Sequence, residues 1–264
     1  MLTRPLGYRR ALDGGPRDRD ARHHLGAGPV PATSDLSQLF GPALDQGPLS
    51  SCVANAIGDA VRAVQVRLGA DPHATTVPSR LAIYWLARAY VHEQDIDAGS
   101  FIHLAFQGLN TFGFAPEAAW PYLPEWFNRM PPLGVLAKAF DQRDNDRPEV
   151  DYRRILSTGG ALVDDIKRAL GMGCPIIFGV DISRRFQAGD FGTTGIAQAP
   201  GPDDEIAGGH CMLIGGHRPE AARVRTSWGE FGQDGWFEMA WNYVEQAEDV
   251  WSLHSAPLYS EVSL

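Results

Sequence analysis

A mixed α+β fold, with helices gathered in the first half of the chain and strands in the second, is predicted by three observations. Between Cys52 and Leu68, and again from Pro78 to Gly113, apolar residues recur at three- and four-residue steps, the period of an amphipathic helix. After residue 150, short apolar runs broken by Gly-Gly pairs dominate, the pattern of buried strands. Between the two lies a Pro-rich, charged stretch, 123 to 150, that reads as a crossover between lobes.

Residues 1 to about 32 are rich in Gly, Pro, Arg and Asp and carry no sustained apolar period, so they form an extended arm. Leu36, Leu39 and Phe40 anchor it before Gly41-Pro42. The helix from Cys52 ends near Leu68, ahead of a polar turn at Asp71-Pro72. "PSRLAIYWLARAYV" is a second helix with Leu81, Ile83, Tyr84, Leu86 and Ala87 facing the core, and "DAGSFIHLAFQGLNTFGF" a third that stops near Gly113. Past the crossover, "VDYRRIL" is a short strand, "GALVDDIKRALGMG" a helix and "CPIIFGVDI" a buried strand. "APGPDDEIAGG" reads as a loop, and "HCMLIGGH", "ARVRTSW" and "GWFEMAW" as successive strands. The organisation is an arm (1–33), a mainly helical lobe (34–130) and a mainly β lobe (131–264) in one domain.

At 264 residues, the chain can bury a sizeable core. A formal charge of -9 and a pI near 5.3 argue against nucleic acid or an anionic membrane surface as partner. No apolar run approaches the roughly 20 residues of a membrane span, and "MLTRPLGYRRALDGGPRDRD" lacks the apolar core of a secretory signal. Three cysteines, Cys52, Cys174 and Cys211, make no disulfide framework, and there is no CxxC to hold zinc. The expectation is a cytoplasmic protein without metal or cofactor.

Cys52 stands where turn formers (Gly47, Pro48, Ser50, Ser51) give way to a helix. A partly exposed thiol in a first helical turn lies at the positive end of the dipole, which favours the nucleophilic thiolate. Its chemistry needs a base and an oxyanion donor. Among eight histidines, His210 opens an apolar strand directly after Gly208-Gly209, where the backbone can expose a ring to a cleft. His217, seven residues on, falls on the opposite strand face, which argues against a joint metal site with His210 and Cys211. Cys174 and Cys211 read as core.

"DQGPLSSCVANA" resembles the active-site segment of papain-like cysteine peptidases, "GGHCMLIGG" is similar to their histidine strand, and "VRTSWGEFGQDGWFEM" to their (K/R)NSWG segment. "SDLSQLFGPALDQG", "PSRLAIYWLAR", "DAGSFIHLAFQGLNTFGF" and "DYRRI" have counterparts, in the same order, in the bacterial branch that lacks a long helical propeptide. The likeness spans about Ser34 to Trp241. It implies a two-lobed fold and peptide cleavage through a thioester, with Cys52 as nucleophile and His210 as base and later acid. Gln46 and the Cys52 N–H would form the oxyanion site. Trp228 would shield the histidine, and Gly99 would be the glycine whose backbone pairs with an extended protein or peptide substrate.

Three departures accompany the likeness. Thr226 replaces the asparagine that orients the histidine, a shorter acceptor that implies a less reliable ion pair and a gain on Thr226→Asn. Ser50 and Val53 replace family residues beside the cysteine. Cys52 lies 158 residues before His210 and 174 before Thr226, longer than the roughly 130 to 150 usual for the family. Thr226 leaves room for a weakened binding module as an alternative, and the fold for an amidase or peptide ligase. The arm is either a surface tail or a cover for the cleft, its arginines then pairing with Asp203, Asp204 and Glu205.

Overall fold

A computed structural model describes residues 4–10, 28–144 and 150–255; arm residues 11–27, part of the predicted crossover and the C-terminal tail lie outside that description. The helices of the first half are α1 (Cys52–Arg67), α2 (Arg80–Ala89) and α3 (Ile102–Phe112), in the places the apolar period predicts. Ser79 caps α2 by accepting the Ala82 N–H, and α3 stops at Gly113, whose φ of 72° suits a residue without a side chain.

A fourth helix, α4 (Leu133–Asp144), occupies the predicted crossover. Pro131 and Pro132 stand just before its first turn, where a missing N–H costs little, so they introduce the helix rather than forbid it. Its Val135 and Ala139 pack with Leu49, Leu81 and Trp120. Further on come α5 (Gly159–Gly171) and two short helices, α6 (Arg184–Ala188) and α7 (Trp241–Val244).

The strands are β1 (Ser34–Asp35), β2 (Val150–Ile155), β3 (Ile176–Ser183), β4 (Ile196–Ala197), β5 (Ile206–His217), β6 (Ala221–Arg225), β7 (Trp236–Ala240) and β8 (Asp249–Ser255). They form one sheet in the order β2-β8-β3-β5-β6-β7-β4, with β1 beside β5. β8 was not anticipated. β5 begins at Ile206, inside the segment read as loop, and β6 ends at Arg225, which leaves Thr226, Ser227 and Trp228 just past the strand.

Side-chain alternation divides this sheet between two cores. Ile176, Phe178, Met212 and Ile214 face one, with Leu162, Ile166 and Leu170 of α5. Ile177, Cys211 and Leu213 face the other, against Cys52, Ala56, Ile57 and Val64 of α1. α1 is thus enclosed by helices on one side and by the sheet on the other. Its polar residues are paired: Asn55 accepts from Arg80 Nη1 at 2.7 Å, and Asp59 forms a buried ion pair with Arg225 of β6 at 2.7 Å. Breaking such a pair strands a buried charge. Arg225→Ala is expected to cost about 3–5 kcal/mol in denaturant unfolding; a loss below 1 kcal/mol would mean that Asp59 finds water or another cation.

Candidate active site

The turn at Gly47 (φ 55°) delivers the chain into α1, so the Cys52 sulfur lies in the first turn. There it accepts the Cys211 N–H of β5 at 3.4 Å. The thiol is completely buried rather than partly exposed. The cover is the protein's own arm.

His210, the neighbour of Cys211, is held from two directions. Its Nε2 lies 2.8 Å from the Thr226 hydroxyl, and its ring stacks on the Trp228 indole with centroids 4.2 Å apart. The threonine therefore reaches the imidazole despite its short side chain. The other ring nitrogen, Nδ1, is buried with no hydrogen-bond partner among the described residues.

Gln46 is fully buried and its carboxamide has a defined orientation. Ser227 Oγ donates to Oε1 at 2.6 Å, which turns the Nε2 amide towards the Leu49 carbonyl (2.7 Å) and the Pro5 carbonyl (3.4 Å). Ser227 is thus what aims Gln46. Only the tertiary pairing of the Gln46 and Ser227 backbones (Gln46 N–H to Ser227 O, 2.9 Å) reveals it.

Arm residues Arg4 to Arg10 run through this arrangement as an extra strand. The Pro5 carbonyl accepts from Trp228 Nε1 (3.2 Å) as well as from Gln46. Gly7 and Tyr8 donate to the Gly209 carbonyl at 3.3 and 3.2 Å, the Gly7 carbonyl accepts the Ser100 N–H at 2.8 Å, and Arg9 donates to the Ser100 carbonyl at 3.0 Å. The arm thus pairs with Ser100, the neighbour of Gly99. Gly99 (φ 78°) makes the approach possible, since a Cβ there would lie 2.2 Å from the Gly7 carbonyl oxygen. Tyr8 lies flat on Gly179, where a Cβ would meet the ring at 2.3 Å. Arg9 pairs with Glu93, and Arg10 with Asp181 (2.9 Å) and Glu248 (2.6 Å). Asp204 and Glu205 are instead engaged by Arg185 and Arg184, so the predicted partners of the arm's arginines are not the ones used by Arg9 and Arg10.

Enclosure sets the electrostatics. Desolvation pushes the Cys52 thiol up to about 12, against the pull of the Cys211, Val53 and Gly7 amides. Burial also pulls His210 down to about 3. Both groups are neutral across the physiological range in this closed arrangement, and no hydrogen bond joins the thiol to His210 Nδ1. With water admitted, the same pair can exchange a proton and supply a thiolate nucleophile.

A second Cys–His pair exists. Cys174 Sγ is 3.2 Å from His254 Nδ1, and His254 Nε2 is 2.8 Å from Ser252 Oγ. Both residues are buried, and desolvation raises the Cys174 thiol to about 11, which suits the core role expected of Cys174. Cys211 is equally buried. His217 packs on Trp241, at the opposite end of β5 from Gly208-Gly209. Among the described residues no group of three or more His, Cys, Asp or Glu is arranged to hold a metal ion, and no helix is long and apolar enough to cross a membrane.

A helical half carrying a cysteine at a helix start, apposed to a sheet carrying an oriented histidine, defines a thiol–imidazole hydrolase. No family model matches the sequence. An uncharacterized peptidase C1-like protein of Acanthamoeba polyphaga mimivirus is 34% identical over 218 residues, 79% of this chain and 68% of that protein. The fold is similar to that of xylellain, a cysteine protease from Xylella fastidiosa, with a TM-score of 0.77 and 25% identity over 97% of this chain and 99% of that one. It is also similar to the bromelain protease from Ananas comosus, with a TM-score of 0.60 and 18% identity over 84% of this chain and 98% of that one. The chain belongs to the papain-like cysteine peptidases.

Proposed function

We propose that the protein cleaves peptide bonds through a Cys52 thioester and that residues 4–10 hold its cleft shut until they are displaced. One observation carries this reading: a peptide carbonyl, that of Pro5, already rests on the Gln46 amide beside the Cys52 helix. In the open cleft His210 Nδ1 takes the thiol proton and the thiolate attacks the substrate carbonyl carbon. The resulting oxyanion is held by Gln46 Nε2 and the Cys52 N–H. His210 then protonates the departing amine, and water, deprotonated by the same ring, releases the acid and restores the thiol. The arm escapes this fate because the sulfur faces the N–H groups of Gly7 and Cys211, which present no carbonyl carbon for it to attack.

Three free cysteines support action in a reducing compartment, so the substrate is proposed to be an intracellular, cytoplasmic protein or peptide. The deciding experiment is treatment with an epoxide or vinyl-sulfone peptide, read by intact mass and peptide mapping. Modification confined to Cys52 supports the reading, and inertness of a variant with a displaced arm moves the protein to the binding-module class. Release of a new amide in the presence of added amines would favour the ligase alternative.

Thr226 is proposed to fix the ring through its 2.8 Å contact. Thr226→Val keeps the shape and removes the oxygen, leaving a buried N–H unpaired at about 1–3 kcal/mol. Turnover is expected to fall about tenfold or more, with the acid limb of the pH profile displaced. Parent-like turnover would show that Thr226 does not orient His210.

A further inference from the structure

We infer that the cleft beyond Trp228 is a seat for a cationic side chain, arginine or lysine, on the leaving-group side of the substrate. The inference rests on the peptidase reading above. The arm's Arg4 places its guanidinium 4.7 Å from the Phe231 ring centroid and 5.6 Å from that of Trp228. Its Nη1 donates to the Gln187 carbonyl, and the Gln187 side-chain amide donates back to the Arg4 carbonyl. Two aromatic faces and a carbonyl are the groups that recognise a planar cation.

Arg4 does not fill the site. A cavity of about 430 Å³ remains beside it, walled by Gly189, Phe191, Trp228, Phe231 and Gly232, with Glu230 at its rim. Phe231 packs edge-on against Trp228 and Phe237, and Trp228 stacks on His210, so the rings are held by neighbours other than the arm. Glu230 adds a negative charge where a cation would enter. The walls admit a longer or differently angled cationic chain than the arm supplies.

The side of the scissile bond follows from the proton path. The leaving amine receives its proton from His210, whose ring is covered by Trp228, so the departing half of a substrate runs out over Trp228 towards Phe231. The acyl half then lies along Ser100. The arm has its earlier residues, Arg4 and Pro5, at Trp228 and its later ones at Ser100, so it runs opposite to a substrate. A cation–aromatic contact is made by the side chain alone and tolerates either chain direction.

The test uses the full-length Gly7→Ala chain, in which a Cβ 1.8 Å from the Ser50 carbonyl oxygen is expected to displace the arm, and quenched fluorescent peptides differing only in carrying Arg, Leu or Glu at the two positions after the scissile bond. The Arg peptide is expected to exceed the Leu peptide in kcat/KM by about three- to tenfold, and the Glu peptide to be the poorest. Phe231→Leu should bring the Arg-to-Leu ratio close to one. Cleavage with equal rates for Arg and Leu overturns the inference and leaves the peptidase reading intact. If no peptide is cleaved, the peptidase reading fails, and binding decides the inference separately. In Gly7→Ala/Cys52→Ala, tighter calorimetric binding of the Arg peptide, lost in Phe231→Leu, upholds the seat, and equal affinities refute it.

Discussion

Replacing Gly7 with alanine is expected to raise the rate at which Cys52 reacts with a peptide electrophile by about tenfold or more. A Cβ at Gly7 would lie 1.8 Å from the Ser50 carbonyl oxygen, a backbone atom of the turn leading into α1. The arm cannot yield without straining the Gly7 and Tyr8 bonds to the Gly209 carbonyl, and the Ser50 turn is held by its N–H bond to Asp97. Overpacking of this kind costs about 1–3 kcal/mol, and 1.4 kcal/mol is a factor of ten in population. The Arg10 ion pairs oppose release only weakly, since both are about half exposed and worth at most about 1 kcal/mol each. The pH dependence moves with the arm. In the parent, alkylation of Cys52 climbs towards a pH of about 12, because desolvation holds the thiol protonated; with Gly7→Ala, water re-enters and the inflection falls. Equal rates and equal inflections in the two proteins would falsify occlusion by the arm.

Cys52→Ala in the arm-displaced chain is expected to abolish hydrolysis, a loss of at least about a thousandfold, since no other group supplies the acyl acceptor. The fold should survive. Only one sulfur is removed, and the Cys211 N–H that loses its acceptor costs about 1–3 kcal/mol, or a Tm lower by several degrees for a chain of this size. Cys174→Ala is the matched control. Cys174 also faces a histidine, yet lies in the core, so activity should persist. The opposite pattern, activity lost with Cys174 and kept without Cys52, would relocate the chemistry to the buried pair.

Cys52, His210, Gln46 and Trp228 were legible because each carries a local signature: a thiol at a turn-to-helix junction, a histidine after two glycines, and short segments of recognisable spacing. The helices of the first half were legible through the periodicity of Val53, Ile57, Ala60 and Val64. What escaped depends on partners distant in sequence. Ser227 acquires its task only because β6 ends at Arg225 and lays the next residues beside Gln46. β8 escaped because Val250, Trp251 and Leu253 are too few to declare a strand until they pair with β2 and β3. Residues 4–10 gave no apolar period because their hold combines backbone bonds with single Arg and Tyr contacts, neither of which follows a side-chain period. Gly7, Gly99, Gly179 and Gly209 record it only as places where a methyl group would not fit.

The pairing of residues 44–46 with 227–229 carries a mechanical consequence. The Gln46 N–H bonds to the Ser227 carbonyl, the Gly229 N–H to the Leu44 carbonyl, and the Ser227 hydroxyl to the Gln46 side chain. The proposed oxyanion donor, Gln46, hangs from the helical side, but its side chain is aimed from the sheet side. Parting the two would swing the amide off target before any substrate gained much space. The jaws are tied together at this corner, which suits the proposed control by residues 4–10, a removable bolt rather than a hinge.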